Sequence, residues 1–248
     1  AMKLRKERTN PADQNGDLGV LLEDCKKKKE KHNMPALPVS EIPSLFVQLD
    51  SLYSSSARAI EFAILTAARS QAVRLAKWRD IDLENGVWEV PPEDDKVKTP
   101  GRDRTIYLSS EAIKLLERIP HFPNQEYVFV SNRGFPFSNM ALQMLLRRLH
   151  ESKFELDGIG WIDPVESEKQ KKICPISLHG TARATFFTWA TDDNVGNNKI
   201  FDRNAVDKCL LHGSNDPYNG AYDRSVLADE RKKIMEAWGQ YCYSKVRI

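Results

Sequence analysis

His179 and Arg183 stand together at the head of an apolar helical run, in the segment HGTARATFFTW. Residues on a first helical turn face one site along with exposed backbone N–H groups, an arrangement that suits an anion. The plain alternative for His179 is a capped, satisfied histidine of the core or the surface. Arg69 directly follows the apolar stretch ARAIEFAILTAA. It is either a C-cap arginine meeting helix carbonyls or a cation set at the edge of the core. Lys96 and Lys98 lie in PEDDKVKTPGRDR, a polar connection with a Pro-Gly turn signal. A lysine there is ordinarily solvated, and it is also placed to enter a DNA groove. His212 lies just past the helix-like AVDKCLL, and Tyr222 follows ten residues later.

These side chains have one chemistry in common. There is no carboxylate cluster for magnesium, no glycine-rich phosphate loop, no Gly-x-Ser-x-Gly and no His-Glu-x-x-His. Two arginines can clamp the non-bridging oxygens of a phosphodiester and neutralise charge in a pentacoordinate transition state. A lysine or histidine can protonate a leaving oxygen. A tyrosine hydroxyl can serve as nucleophile and store the bond as a phosphotyrosine. This inventory calls for no cofactor and no metal.

The elements that must carry these residues follow from periodicity. A helix is expected from Ser40 through PVSEIPSLFVQLDSL (38–52), with Ile42, Leu45, Phe46 and Leu49 at helical spacing. Residues 57–70 are apolar almost all round, so a central buried helix is expected there, with Arg69 at its C-terminal end. VWEVP (87–91), TIYLS (105–109) and YVFVS (127–131) read as short strands. Helices are expected over 111–119, capped by Ser109 or Ser110, and over 138–150, capped by Ser138. Residues 151–175 read as a long loop, followed by helices near 180–192, 203–211, 217–227 and 228–240. The fold class is α+β, mostly α, with a small sheet of two or three strands. Phe186, Phe187 and Trp189 are expected to pack in the core behind Arg183.

Composition is compatible with this. The chain has 248 residues, 41% of them hydrophobic and 29% charged, enough for a sizeable globular core. The net charge of +2 does not oppose nucleic-acid binding, since a basic face matters and a total averages it away. Cys25, Cys174, Cys209 and Cys242 are too scattered for a disulfide framework or a zinc site. No apolar run approaches the roughly 18 residues of a membrane span, and the opening AMKLRKERTN has no apolar core, so no membrane partner and a cytoplasmic location are expected. Residues 1–34 are polar, with a four-lysine run, and read as a linker or N-terminal remnant. Residues 35–248 read as the globular part.

The order Arg, Lys, His-Arg, His, Tyr, together with AILTAARSQAVRLAKWRDID, HGTARATFFTWA and LLHGSNDPYNGAYDRSVLADERKKIMEAWGQY, resembles the catalytic domain of tyrosine recombinases. The closest type is the phage- and genomic-island integrase of the lambda-integrase superfamily, and the likeness covers about residues 35–240. It implies a mostly helical catalytic domain with a small antiparallel three-stranded sheet. By position, Arg69 matches the first catalytic arginine, Lys98 the hairpin lysine with Lys96 as its backup, His179 and Arg183 the His-Arg box, His212 the late histidine and Tyr222 the nucleophile, with Tyr218 as the nearest decoy. The implied activity is site-specific cleavage and rejoining of double-stranded DNA at attachment sites, through a 3′-phosphotyrosine. Implied too are a tetramer on DNA when full-length, DNA-bending and excisionase accessory proteins, a nucleoid-associated location, and a C-terminal segment, 239–248, exchanged between protomers. Two departures stand out. The acidic residue common three positions after the first arginine is Ala72 here, and the His-Arg box has three intervening residues where two are usual. They keep a second reading open, a DNA-binding or regulatory module that has lost strand transfer. A type IB topoisomerase shares the chemistry but does not pair two sites.

Overall fold

A computed structural model describes residues 32–95, 102–212 and 227–246. The chain divides into two units, 1–33 and 34–248, and the second carries everything described below.

Helix α1 (Ile42–Asp50) follows a 3-10 turn at Val39–Glu41 and buries Ile42, Leu45, Phe46 and Leu49. Helix α2 (Ser55–Leu65) starts at Ser54, whose hydroxyl accepts the Ala57 N–H at 3.2 Å, a standard N-cap. Ala59, Ile60, Phe62, Ala63, Ile64 and Leu65 of α2 have no exposed surface. The helix lies at the centre of the core, as its all-round apolarity requires.

The expected continuation of α2 to residue 70 does not occur. Thr66 donates its hydroxyl back to Phe62 O at 2.6 Å, and Ala67 turns into the left-handed region at φ 49°. Arg69 is extended and sits at the N-cap position of a new short helix, α3 (Ser70–Arg74). The C-cap reading of Arg69 is therefore replaced: the arginine lies in the bend between two helices.

Three strands follow, β1 (Ile81–Asp82), β2 (Val87–Glu89) and β3 (Thr105–Tyr107), in one antiparallel sheet of order β1-β2-β3. Trp88 pairs with Ile81 on one side and Ile106 on the other, and Trp88 and Ile106 both face the core. The Trp88 ring meets Phe62 of α2 at 5.2 Å, which fixes the sheet to the central helix.

Residues 127–131 do not supply the third strand. They form single bridges only, Lys77 with Tyr127 and Val130 with Pro136. Pro136 has no N–H to extend a ladder. The apolar run is instead consumed by burial, with Val128 and Phe129 fully enclosed.

Helix α4 (Ser110–Glu117) is capped by Ser109. Helix α5 (Ala141–Asp157) begins past Ser138 and continues well past 150 into the expected loop, ending at the left-handed Gly158. Another helix in that stretch, α6 (Pro164–Gln170), is capped by the Asp163 carboxylate accepting the Glu166 N–H at 2.9 Å. Helices α7 (Thr185–Thr191), α8 (Arg203–Cys209) and α9 (Ala228–Cys242) complete the described elements. Most of the helix expected at 217–227 lies outside the described residues.

Trp238 of α9 donates its indole N–H to Ile64 O of α2 at 2.8 Å and packs on Trp189 and Phe186 of α7. Phe186 and Trp189 are core, while Phe187 is only partly buried, with the Arg203 guanidinium 4.3 Å above its ring. Residues 239–243 pack within their own chain: Cys242 and Tyr243 are buried, and the Tyr241 hydroxyl bonds Val39 O at 3.0 Å. Among the described residues no helix is long and apolar enough to cross a membrane.

Candidate active site

Arg183 reaches its place through an unusual helical start. The helix is already under way at Leu178 and His179, and Gly180–Ala184 then form one π turn before α7. A π turn closes i→i+5 and takes in one residue more than an α turn. The third residue between His179 and Arg183 is thus absorbed by this turn. Gly180 is required there: a Cβ would lie 2.2 Å from Pro35 O. The entering chain is laced onto the same turn. Ser177 N donates to Pro35 O at 2.8 Å, Leu37 N to the Thr181 hydroxyl at 3.3 Å, and the Thr185 hydroxyl to Leu37 O at 2.6 Å.

The Arg183 guanidinium is buried and held at three points. Nη1 donates to Ala67 O at 2.8 Å, and Nη2 donates to Leu210 O at 2.7 Å and to His212 Nε2 at 3.0 Å. Both carbonyls come from strained backbone: Ala67 is itself left-handed, and Leu211, directly after Leu210, has φ 49°. Each such non-glycine residue costs on the order of 1–3 kcal/mol, and such strain gathers where function needs a fixed geometry. Here it aims two carbonyls at one arginine. Burial and the nearby charge of Arg69 push the Arg183 pKa down to about 9, which leaves it cationic at neutral pH.

His212 follows α8. Since arginine can only donate, Nε2 of His212 accepts from Arg183, which places the ring proton on Nδ1, 3.2 Å from Asp207 Oδ1. Burial lowers the His212 pKa, Asp207 opposes this, and Arg183 and Arg69 lower it further. The neutral imidazole is therefore favoured.

Arg69 is the third member. Its Nη1 pairs with Asp95 Oδ1 at 3.1 Å. The carboxylate that meets Arg69 thus comes from the turn that follows β2, beginning at Pro91, while Ala72 is buried among apolar neighbours. Arg102 Nε and Arg104 Nε approach the other oxygen of Asp95 at 3.9 and 3.5 Å. Arg102 keeps two buried nitrogens, Nε and Nη2, without a hydrogen-bond partner among the described residues. Burial lowers its pKa, and Asp95 pulls the other way.

The structure brings together Arg69, Arg183 and His212 of the residues singled out in the sequence. His179 is exposed on the turn that precedes Arg183. Lys96, Lys98, Tyr218 and Tyr222 lie outside the described residues; the segments that carry them leave and re-enter the described chain at Asp95 and Arg102, and at His212 and Leu227. Asp95, Asp207, Arg102, Arg104 and the carbonyls of Ala67 and Leu210 were not singled out. Among the described residues no group of three His, Cys, Asp or Glu side chains is gathered to hold a metal ion.

The profile of the phage integrase family matches residues 36–159, half of the chain. The putative protein IntB of Escherichia coli (strain K12) is 25% identical over 229 residues, which are 85% of this chain and 51% of that protein. The integrase of enterobacteria phage P4 is 21% identical over 245 residues, 94% of this chain and 49% of the relative. The chain thus spans about half the length of the curated relatives it matches. Among solved structures, the Tn1549 transposon integrase in complex with circular intermediate DNA has a TM-score of 0.55 and 20% identity, covering 87% of this chain and 70% of that one. A lambda integrase dimer bound to a COC′ core site has a TM-score of 0.51 and 17% identity, covering 82% of this chain and 53% of that one. Both likenesses are of fold.

Proposed function

The chain belongs to the phage integrase family, and on that premise we propose that it is the strand-cleaving part of a site-specific DNA recombinase. The observation that carries the reading is the Arg183 guanidinium, fixed by Ala67 O, Leu210 O and His212 beside Arg69. Two cations immobilised before substrate arrives suit a phosphodiester, whose charge rises in the transition state, because no reorganisation is needed at that moment.

In this reading the substrate is double-stranded DNA at an attachment site, and the order of events is as follows. Arg69 and Arg183 hold the non-bridging oxygens of the scissile phosphate. The Tyr222 oxygen attacks phosphorus while its proton leaves with assistance from His179. The bond to the 5′-oxygen breaks, Lys98 gives that oxygen a proton, and a 3′-phosphotyrosine and a free 5′-hydroxyl result. His212 turns its Nε2 from Arg183 to the phosphate once that nitrogen carries a proton. The 5′-hydroxyl of a partner strand then attacks the phosphotyrosine and releases Tyr222. The guanidiniums supply the charge neutralisation, so no metal enters the step. The relatives are about twice as long; pairing of two sites in a tetramer, with accessory proteins and exchange of the C-terminal segment 239–248, is part of the same proposal.

The test is covalent trapping on a duplex nicked close to the scissile position, run on a denaturing gel in the presence of EDTA. A shifted protein–DNA band is expected with the natural chain and none with Tyr222→Phe. Binding of DNA by both without any band would assign the chain as a binding module.

A further inference from the structure

We propose that Asp95 is a positioning residue for Arg69, and that it ties the bend between α2 and α3 to Arg102 and Arg104, which lead into β3. This rests on the recombinase reading above. Asp95 is 2% exposed, yet it is an ionisable group at the mouth of a polar connection. Its backbone is fixed by the turn that begins at Pro91, where Asp94 N and Asp95 N both donate to Pro91 O, at 3.0 and 3.2 Å. The same end of β2 is joined to the β3 side by Val90 N donating to Arg104 O at 3.1 Å.

The carboxylate is shared in a particular way. Oδ1 takes Arg69, from the bend between α2 and α3. Oδ2 faces Arg102 and Arg104, the first arginines on the far side of segment 96–101. One side chain therefore joins three stretches of chain: the bend that presents Arg69, the turn that begins at Pro91 and the residues that lead into β3. A long arginine side chain has much rotamer freedom to lose, and a fixed carboxylate removes that freedom before substrate binds.

Charge makes the same point. Arg69, Arg102 and Arg104 surround Asp95, and Arg183 feels Arg69, Arg102 and Asp95. Without a carboxylate these guanidiniums would repel one another in a site that screens poorly. Asp95 relieves part of that repulsion, Asp103 also acts on Arg102, and the four guanidiniums still outnumber these two carboxylates, so a phosphate is still attracted. The geometry also admits an opposite role, in which Asp95 occupies the place of the phosphate and must be displaced. The two roles differ in sign.

The experiment measures single-turnover cleavage of the nicked duplex for the natural chain, Asp95→Asn, Arg69→Ala and the double variant, with DNA affinity and melting temperature followed in parallel. Asp95→Asn keeps the shape and removes the charge. The expected result is a loss of cleavage of about 10- to 100-fold, the range seen when a group that orients a functional side chain is removed, with DNA affinity changed by less than about threefold. In the Arg69→Ala background Asp95→Asn should add little, because residues that act as a unit are not additive. Asp95→Glu should recover part of the loss. An unchanged or faster Asp95→Asn, or a full additive loss in the double variant, would overturn the proposal.

A second readout separates this inference from the recombinase reading itself. The Arg69 guanidinium Nη1–H resonances, assigned through Arg69→Lys and recorded at low temperature, should be dispersed and exchange-protected in the natural chain and collapse toward the solvent-exposed position in Asp95→Asn. If the natural chain forms no covalent product, the recombinase reading fails, and these resonances still decide whether Asp95 holds Arg69. Resonances unmoved by Asp95→Asn would sink the positioning role whatever the cleavage result.

Discussion

Arg183 is fixed by a planar fork that satisfies two carbonyls and a histidine at once. A lysine keeps the charge but cannot hold that geometry. Arg183→Lys is therefore expected to lower single-turnover cleavage by about 10²-fold or more, while filter binding of DNA changes much less. Equal losses in both would show that the arginine serves binding alone. Arg69, Arg183 and His212 were legible in the sequence through their types and order along the chain, which resemble the tyrosine-recombinase pattern; locally Arg69 could equally have been a C-cap arginine. Asp95 was not, since PEDDK reads as a solvated turn and nothing local reveals that its second aspartate is buried. The carbonyls of Ala67 and Leu210 leave no mark in the sequence either, because they are aimed by left-handed backbone at Ala67 and Leu211, which are ordinary non-glycine residues.

A second residue acts on stability. Glu61 has no exposed surface, and although Arg58 Nη1 comes within 2.9 Å, the Glu61 oxygens make no aligned hydrogen bond. Burial outweighs that arginine and raises the Glu61 pKa to about 8. The folded chain then keeps a proton that the unfolded chain gives up near 4.5. This contribution is complete below the unfolded value and is lost as pH rises through about 8. Glu61→Gln should remove a fall in stability of up to about 1.4 kcal/mol per pH unit across that window. Urea denaturation at several pH values would show it; parallel pH profiles for the two proteins would contradict it.

At the scale of elements, the π turn decides where Arg183 points. Gly180→Ala places a methyl against the Met34–Pro35 backbone and should cost about 1–3 kcal/mol, the usual range for overpacking, measured by thermal or chemical denaturation. Deleting the buried Ala182 should return the segment to a regular α-helix, seen in a crystal structure; a π turn that persists would show that the entering chain, and not the extra residue, creates it. Elements with clear apolar periods, such as α1, α4 and the start of α5, were legible because one face alone is buried. The second half of α5 and helix α6 were not: ESKFELD and PVESEKQ are too polar to show a period, and their ends are set by Gly158 and the Asp163 cap. The third strand was misplaced for the opposite reason. Residues 127–131 have strand-like composition that serves burial, whereas β1 is two residues long and carries little pattern.

Across the whole molecule, α9 returns the chain to the central helix and then ends in the core. Arg231, 1% exposed, joins α9 to the β3 side through Asp103 at 2.6 Å and lies 4.8 Å from the Tyr107 ring. The N-terminal half of α9 is therefore tied to β3 and to the residues that lead into it. The last fully packed residue is Tyr243, edge-on to Phe46 at 5.0 Å. Removing residues 244–248 should leave the melting temperature within about 2 °C, since Ser244 and Lys245 are exposed and Val246 is only partly buried, and loss of such residues is a small perturbation. A stop before Cys242 should unfold the chain. If C-terminal ends are exchanged on DNA, the shorter tail should reduce complexes with more than one protomer in gel-shift assays and leave single-site binding intact.

The most direct measurement concerns the nucleophile. After trapping on the nicked duplex and digestion of the DNA, trypsin should release the peptide from Cys209 to Arg224, which contains both Tyr218 and Tyr222. Fragmentation of that peptide by mass spectrometry should place the nucleotide mass on Tyr222. An adduct on Tyr218 or on another residue would contradict the assignment of the nucleophile, and no adduct under conditions where the chain binds the duplex would contradict strand cleavage itself.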